Sequence, residues 1–194
     1  MTAQAPSELN GHEYVDLGLP SGTKWATCNV GADKAWDYGE YFQFGALKQD
    51  ASTPFDGQSA VQPINGNAKY DVATARWGEG WQMPTKAQLD ELQTKCKWSW
   101  VPMSGKKGYR VTGPNGNSIF LPAGGIYYGS EYLYLTGHAG VYWSSTPSGE
   151  YVAYNLYCGQ ELDEMDETYG RPTHYVTDMN GTMNFRMTVR PVVK

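Results

Sequence analysis

The sequence predicts a single α+β domain in which two short helices accompany many short strands and long loops. Glycine contributes 23 of the 194 residues and aromatic residues 14%, whereas charged residues contribute only 18%. This composition is typical of a loop-rich, β-containing domain and not of a helical bundle. Helix signals are confined to residues 71–96, while period-two alternation of apolar residues occurs on both sides of them. At this length a single hydrophobic core is expected.

Two N-cap residues predict where the helices begin. The hydroxyl of Thr85 can accept a hydrogen bond from the third helical N–H, and Gln88 can reach back to the N–H of Thr85, which is a capping box. Asp71 is a second N-cap candidate, for a helix of about one turn that Gly78 ends. The connecting segment 77–81 places two tryptophans around Gly-Glu-Gly, and we expect both rings to fill the core.

Alternating apolar residues predict strands at 14–19, 24–30 and 183–193. On the last of these, one face is predicted to carry Met183, Phe185, Met187 and Val189, and the other Asn184, Arg186, Thr188 and Arg190. Aromatic residues predict a further strand at 36–44. Strands are also expected at 97–101 and 109–121, the second broken by the hairpin signal Pro-Asn-Gly at 114–116.

Two segments of the sequence, 1–11 and 33–70, show little regular patterning. Residues 1–11 have no basic segment followed by an apolar one, so they are not a signal peptide, and we expect a disordered lead-in before a single domain at 12–194. An exported chain that has been trimmed, or a virion component made without export, would both fit. Residues 33–70 form a long loop region that is weakly patterned beyond its aromatic start.

Five stretches occur in order at 14–32, 77–85 (Trp-Gly-Glu-Gly-Trp-Gln-Met-Pro-Thr), 113–122, 142–146 and 189–192. Together they resemble the Fibrobacter succinogenes major paralogous domain, a family abundant in gut Bacteroidetes. That family is related to the C-type-lectin-like fold, to formylglycine-generating-enzyme-like domains and to the variable proteins of diversity-generating retroelements. The resemblance covers residues 12–194 and implies two short helices packed on twisted antiparallel sheets, with the first and last strands paired. It implies no reaction, because most members have no known activity.

Three cysteines, Cys28, Cys96 and Cys158, leave one unpaired in any intramolecular scheme. The resemblance implies a disulfide between Cys28 and Cys96. In an oxidising compartment it would add about 4 kcal/mol in the chain-entropy model. Three buried thiols are the alternative, and the sequence does not decide between the two.

Candidate ligand-binding residues concentrate in the carboxy-terminal third. Alternation over 151–158 predicts one face that is aromatic and polar, and tyrosine-rich faces make good recognition surfaces because they offer amphipathic area at small entropic cost. The resemblance implies that the long loop after this strand also binds ligand. The predicted ligand-binding residues are Tyr127, Tyr128, Tyr151, Asn155, Tyr157, Gln160, Tyr169, Arg171, His174 and Tyr175. Tyrosines packed on a sheet with their hydroxyls in water are the alternative.

No catalytic residue, cofactor or metal site is predicted. The acidic loop 161–167 could supply oxygen ligands for Ca²⁺, but its spacing is not that of an EF-hand, and a solvated loop is the commoner outcome. The Glu-Pro-Asn and Gln-Pro-Asp signatures of calcium-dependent sugar lectins are absent. Formylglycine-generating relatives use a cysteine pair near the carboxy terminus, where only Cys158 occurs here. The three histidines are too scattered for a zinc site.

Charge and hydropathy exclude two classes of partner. The net charge of -5 argues against nucleic acid, and no apolar run approaches the ~20 residues that span a bilayer. The sequence therefore predicts a non-enzymatic recognition or adhesion domain on a bacterial surface, pilus or phage particle, which binds a cell-surface glycan or protein. A structural module of a larger surface or virion protein is the first alternative. A formylglycine-generating-like enzyme is the second.

Overall fold

The computed structural model of the protein describes residues 5–55, 62–129, 132–160, 170–178 and 181–193. These ranges contain two helices and thirteen strands, with 42% strand and 9% helix, so the chain is β-rich with antiparallel sheets, in agreement with the α+β class. In chain order the elements are β1 (Ser7–Leu9), β2 (His12–Asp16), β3 (Lys24–Ala26), α1 (Val72–Trp77), β4 (Trp81–Gln82), α2 (Lys86–Lys95), β5 (Lys97–Met103), β6 (Lys106–Thr112), β7 (Ser118–Pro122), β8 (Ile126–Tyr128), β9 (Tyr132–Tyr134), β10 (Ala139–Gly149), β11 (Val152–Gln160), β12 (Pro172–Thr177) and β13 (Val192–Val193).

One five-stranded sheet brings both ends of the chain together in the order β1-β2-β3-β13-β4. Val192 pairs with Trp25 of β3 on one side and with Gln82 of β4 on the other. The implied pairing of the first and last strands is therefore wrong: β13 pairs with β3 and β4, whereas β1 and β2 form a hairpin on the outer side of β3. Two three-stranded sheets, β5-β6-β7 and β10-β11-β12, and the β8–β9 hairpin complete the described architecture.

The carboxy-terminal strand is much shorter than the predicted 183–193. Before β13 the chain makes only isolated bridges, in which Arg186 pairs with Tyr127, Met187 with Phe42 and Thr188 with Tyr142. The face of 183–193 that was predicted to be polar is not exposed at two positions, because Thr188 and Arg190 are both fully buried. Neighbouring segments cover this stretch on both sides, so alternation does not report exposure here.

The predicted disordered lead-in is wrong for its second half. Ser7–Leu9 forms β1, which pairs with β2 through a turn at Asn10 and Gly11, both with positive φ. Asn-Gly is a strong hairpin signal because both residues tolerate the left-handed conformation. The indole Nε1 of Trp81 donates to the carbonyl of Leu9 (3.0 Å), and the Asn10 side chain donates to the carbonyl of Trp77 (3.0 Å).

Both predicted helix caps are confirmed. Thr85 and Gln88 form the reciprocal capping box of α2. The carboxylate of Asp71 caps α1 by accepting from the N–H groups of Ala73 and Thr74, and it also accepts from the N–H groups of Gly66 and Met83. Burial raises the pKa of Asp71, and these backbone donors oppose that shift.

Two hydrophobic clusters flank β11. Ala153 and Tyr157 face a cluster around Trp143 and Phe44, whereas Leu156 and Cys158 face a cluster that includes Trp25, Leu89, Leu92 and Tyr109. The strand lies between β10 and β12, so it is central in its sheet. Because a hydrophobic cluster covers each of its two faces, β11 has no solvent-facing side over most of its length. Residues 36–44, predicted as a strand, are irregular and bury Tyr41, Phe42 and Phe44 in the core.

A buried guanidinium connects the carboxy-terminal segment to the five-stranded sheet and to the β5-β6-β7 sheet. Arg190 donates through Nε to Asn29 Oδ1 (2.7 Å) and through Nη1 to the carbonyls of Ala26 (2.9 Å) and Thr27 (2.8 Å). Its Nη2 donates to the carbonyl of Phe120 (3.0 Å). These contacts join residues at least 70 positions apart in the chain.

All three cysteines are free thiols in this structure, so the Cys28–Cys96 disulfide that the resemblance implies is not formed. The alternative of three buried thiols holds in full only for Cys158, because Cys28 and Cys96 are half-buried. The two side chains have different surroundings: the Cys28 thiol contacts the hydroxyl of Thr27, whereas Cys96 caps α2 beside Glu91. Burial raises the pKa of Cys96 to about 11 and that of Cys158 to about 12.

Replacing the buried arginine should destabilise the fold strongly. Arg190→Met is expected to lower the free energy of unfolding by about 3–5 kcal/mol, because three buried carbonyls and one amide oxygen lose their donors. Urea denaturation measures the change. Arg171→Met, at an exposed position, is the matched control and should shift the free energy by less than about 0.5 kcal/mol. Equal denaturation midpoints for the two variants would contradict the structural role of Arg190.

Reductant should leave thermal stability unchanged. With three free thiols, the Tm measured by calorimetry is expected to be the same with and without dithiothreitol. A disulfide between Cys28 and Cys96 would instead make reductant lower Tm by roughly 10 °C. A thiol count in denaturant, without reductant, gives an independent check and should find all three cysteines reactive.

Candidate functional site

The exposed large hydrophobic side chains of the described residues are all tyrosines. Tyr128 is 43% exposed, Tyr132 63%, Tyr134 45% and Tyr151 41%. Three of them lie on the β8–β9 hairpin. Apolar side chains that cluster at a surface commonly mark an interaction site, whereas isolated ones need no explanation.

The hairpin tyrosines contact one another. The rings of Tyr132 and Tyr134 lie 6.1 Å apart with an interplanar angle of 25°, and the rings of Tyr128 and Tyr134 lie 6.3 Å apart at 82°. Phe185 packs against Tyr128 with ring centroids 4.3 Å apart. We refer to Tyr128, Tyr132, Tyr134 and Phe185 as the tyrosine patch.

The hairpin that carries the patch is anchored to the core. Ile126 is buried, and the backbone of Tyr127 exchanges hydrogen bonds with Arg186 (3.0 and 3.2 Å). The half-buried Tyr127 ring also packs edge-on against Tyr41, with centroids 5.0 Å apart. Gly125 enters the hairpin with φ +79°, and a Cβ there would lie 2.2 Å from the carbonyl oxygen of Tyr134. Only glycine fits this close approach.

Tyr151 lies on a neighbouring turn. It has φ +57°, an uncommon conformation for a tyrosine, and its carbonyl accepts a hydrogen bond from the N–H of Met183 (2.8 Å). The chain from Met183 to Arg186 connects this turn to the β8–β9 hairpin and spans at most about 11 Å. Of the predicted ligand-binding residues, the structure therefore brings Tyr127, Tyr128 and Tyr151 to one region.

Two predicted ligand-binding residues lie in the core, and their assignment is wrong. Asn155 is fully buried, and within the described part of the chain neither of its side-chain polar atoms has a hydrogen-bond partner. Tyr157 is buried as well. Its hydroxyl donates to the carbonyl of Gln160 (2.8 Å), and its ring stacks on that of Tyr175 with centroids 5.0 Å apart. The reason is that hydrophobic clusters pack on both faces of β11, so the face predicted to meet ligand is covered.

The remaining predicted residues are distributed differently. Gln160 donates to the carbonyl of Gly170 (3.1 Å), and Tyr175 is half-buried against Tyr157. Arg171 is exposed. Tyr169 and the acidic loop 161–167 lie outside the described residues, as does the possible Ca²⁺ site on that loop.

His174 packs between two sheets, where a ligand has little access. Its ring stacks on Trp98 at 4.3 Å with an interplanar angle of 14°, and it meets the edge of Tyr109 at 5.6 Å. Burial lowers the pKa of His174 below its ordinary value of 6.5. The neutral imidazole is the form that fits this apolar stack.

A cavity of about 590 Å³ lies beside the β1–β2 hairpin. His12 forms part of its wall, stacked on Trp77 at 3.9 Å, and burial lowers the pKa of His12 while the Glu8 carboxylate partly opposes this. Glu13, Asp33 and Lys34 are also part of the lining. No group of three or more His, Cys, Asp or Glu residues in the described ranges could hold a metal ion.

Comparisons of the chain with protein-family models, with curated proteins and with solved structures find no match. No helix of the described ranges has both the length and the apolar character needed to cross a membrane. Function therefore has to be inferred from the chemistry of the sites themselves.

Lowering the pH should destabilise the protein partly through His174. Because its pKa is depressed in the folded state, its contribution to stability is present above pH 6.5 and is lost as the pH falls below that value. His174→Phe keeps an aromatic ring on Trp98 and should flatten the fall in denaturation midpoint between about pH 7 and pH 5. His138→Phe replaces an exposed histidine and is the matched control. A slope that His174→Phe does not reduce would contradict the assignment.

Proposed function

We propose that this protein is a non-enzymatic recognition domain that binds a glycan or a protein surface through the tyrosine patch. The observation that carries the proposal is the clustering of Tyr128, Tyr132 and Tyr134, each more than two fifths exposed, on one anchored hairpin. Tyrosine offers a broad apolar ring and a hydroxyl that both donates and accepts. It therefore suits sugar rings and protein side chains alike.

Preorganisation supports binding at this hairpin. The rings restrain one another, and Phe185 supports Tyr128 from the neighbouring segment. Side chains that are ordered before binding lose less conformational entropy when a ligand arrives. The patch itself carries no charged side chain, so its affinity would come from apolar contact and hydroxyl hydrogen bonds.

Two titratable groups are enclosed in the core and are not available for catalysis. The Tyr142 hydroxyl donates to the carbonyl of Pro122 (2.6 Å), and the Cys158 thiol donates to that of Gly140 (3.6 Å). Both residues are fully buried, which raises their pKa values and keeps them neutral. Groups held in this way stabilise the core and are out of reach of a substrate.

We also propose that the scaffold is C-type-lectin-like, as the sequence resemblance implies. Three features support it: strands near both ends of the described chain lie in one sheet, two short helices precede the β5-β6-β7 and β10-β11-β12 sheets, and long irregular segments separate several elements. Display on a bacterial surface, pilus or phage particle completes the proposal. A structural module of a larger surface or virion protein is the second candidate, because an exposed aromatic cluster also suits a permanent interface.

Removing the patch rings should abolish ligand binding. We expect the double variant Tyr132→Ala/Tyr134→Ala to lose at least about tenfold in affinity on a glycan array or a host-cell surface, since aromatic anchors dominate such interfaces. Binding by the unaltered protein should be equal with calcium and with chelator.

The control is Tyr154→Ala, a half-buried tyrosine beside Lys86 of α2. It should bind as the unaltered protein does. Absence of binding to every glycan and cell surface tested would overturn the recognition proposal. Self-association of the unaltered protein, abolished by the double variant in analytical ultracentrifugation, would favour the structural module instead.

A further inference from the structure

A small polar cavity of about 250 Å³ opens between β4 and the amino-terminal end of α2. Every described side chain in its lining is an uncharged amide or hydroxyl: Ser21, Thr23, Asn65, Gln82, Thr85 and Gln88. No aliphatic or aromatic residue of the described chain contributes to it. We refer to these six residues as the amide cleft. Its wall combines amide and hydroxyl groups with the aliphatic carbons of the same side chains, which suits a ligand that has both polar groups and C–H surface.

The side-chain carbonyl oxygens of the amide cleft already have partners. Gln88 Oε1 accepts from the N–H (2.9 Å) and the hydroxyl (3.2 Å) of Thr85, as its capping role requires. Gln82 Oε1 accepts from Asn65 Nδ2 (3.3 Å). Asn65 Oδ1 accepts from the hydroxyl of Ser145 at 3.5 Å. Acceptor capacity in the amide cleft is therefore largely used within the protein.

Donor capacity is left over. Each side-chain amide has two N–H hydrogens. Gln88 Nε2 uses one on the hydroxyl of Thr23 (3.1 Å), and Asn65 Nδ2 uses one on Gln82. The structure gives Gln82 Nε2 no acceptor among the described residues. Hydrogens on all three amides are thus available to a ligand that presents acceptor oxygens.

The rim of the amide cleft selects against anions. Ser21 donates to the carboxylate of Glu91 through both its N–H (2.9 Å) and its hydroxyl, which places a negative charge at the opening. A carboxylate or phosphate would be repelled by this charge. The volume also lies below the range of about 300–1,000 Å³ that is usual for drug-sized ligands. The fitting ligand is small, uncharged and rich in acceptor oxygens.

We propose that the amide cleft binds a single uncharged sugar ring, whose hydroxyl oxygens accept hydrogen bonds from the amides of Gln82, Asn65 and Gln88. A sugar hydroxyl can also donate, so it can use the hydroxyl oxygens of Ser21 and Thr23. This site is independent of the proposed function, because it shares no residue with the tyrosine patch.

Side-chain amide resonances test the proposal directly. The ¹⁵N-labelled protein is titrated with glucose, galactose, mannose and N-acetylglucosamine. We expect at least one sugar to shift the side-chain N–H₂ signals of Gln82, Asn65 and Gln88 together, with a dissociation constant near the millimolar range that few hydrogen bonds allow.

Gln82→Glu separates donor chemistry from shape. The variant keeps the side-chain length and an acceptor for Asn65, but it removes the free donors and adds a second negative charge. We expect about a tenfold loss of sugar affinity, the effect of removing about two hydrogen bonds. Gln62→Glu adds the same charge at an exposed glutamine outside the lining. It should bind sugar as the unaltered protein does.

Three outcomes would overturn the amide-cleft proposal. These are no shift of the three amide signals with any of the four sugars, equal affinity of Gln82→Glu and the unaltered protein, and equal losses for Gln82→Glu and Gln62→Glu. The double variant Tyr132→Ala/Tyr134→Ala should retain the shifts. Retained shifts, with cell-surface binding lost, would show that the two sites act separately.

Discussion

The buried guanidinium of Arg190 is the interaction on which the rest of the structure depends. Among the described residues it has no carboxylate partner, and burial lowers its pKa. In place of a carboxylate, four oxygen acceptors stabilise the ionised guanidinium: Asn29 Oδ1 and the carbonyls of Ala26, Thr27 and Phe120. A buried arginine is costly unless its donors are satisfied, so its position fixes where the chain leaves β3 and where β7 runs. Residues close to the carboxy terminus thereby hold together segments from the first two thirds of the chain.

This constraint also positions the tyrosine patch. From Arg190 the chain leads back through Thr188, Met187 and Arg186, which bridge to Tyr142, Phe42 and Tyr127 in turn. The bridge to Tyr127 holds β8 in place. Phe185 then lies under Tyr128, so part of the exposed surface is built on the segment that Arg190 anchors. A hairpin supported in this way presents its rings with little freedom, which is what a recognition surface requires.

Most features that depend on local chemistry were predictable from the sequence, although the Asn10-Gly11 hairpin is not among the predicted elements, and features that depend on long-range packing were not. The caps at Asp71 and Thr85 and the turn at 114–116 follow from neighbouring residues, and the structure confirms them. Alternation places Asn155 and Tyr157 on a predicted ligand face because it defines the two faces of a strand, but it does not say whether both faces are covered. The same limit applies to Arg190. A usable signal was present at Tyr-Leu-Tyr, 132–134, where alternation does coincide with exposure.

Both candidate sites are lined by uncharged side chains, although Glu91 places a carboxylate at the opening of the amide cleft, and the surface ion pairs lie elsewhere. Arg76 pairs with Glu40, Lys86 with Asp90 and Lys106 with Asp37, and each partner is at least 31% exposed. Ion pairs at such positions contribute little to stability. The tyrosine patch and the amide cleft instead offer apolar rings and amide hydrogens, whose desolvation costs far less than that of a charge. Binding at either site would therefore depend on shape and hydrogen bonding and hardly on ionic strength. Because both surfaces are small, a single domain would bind weakly, and firm attachment would require several copies presented together.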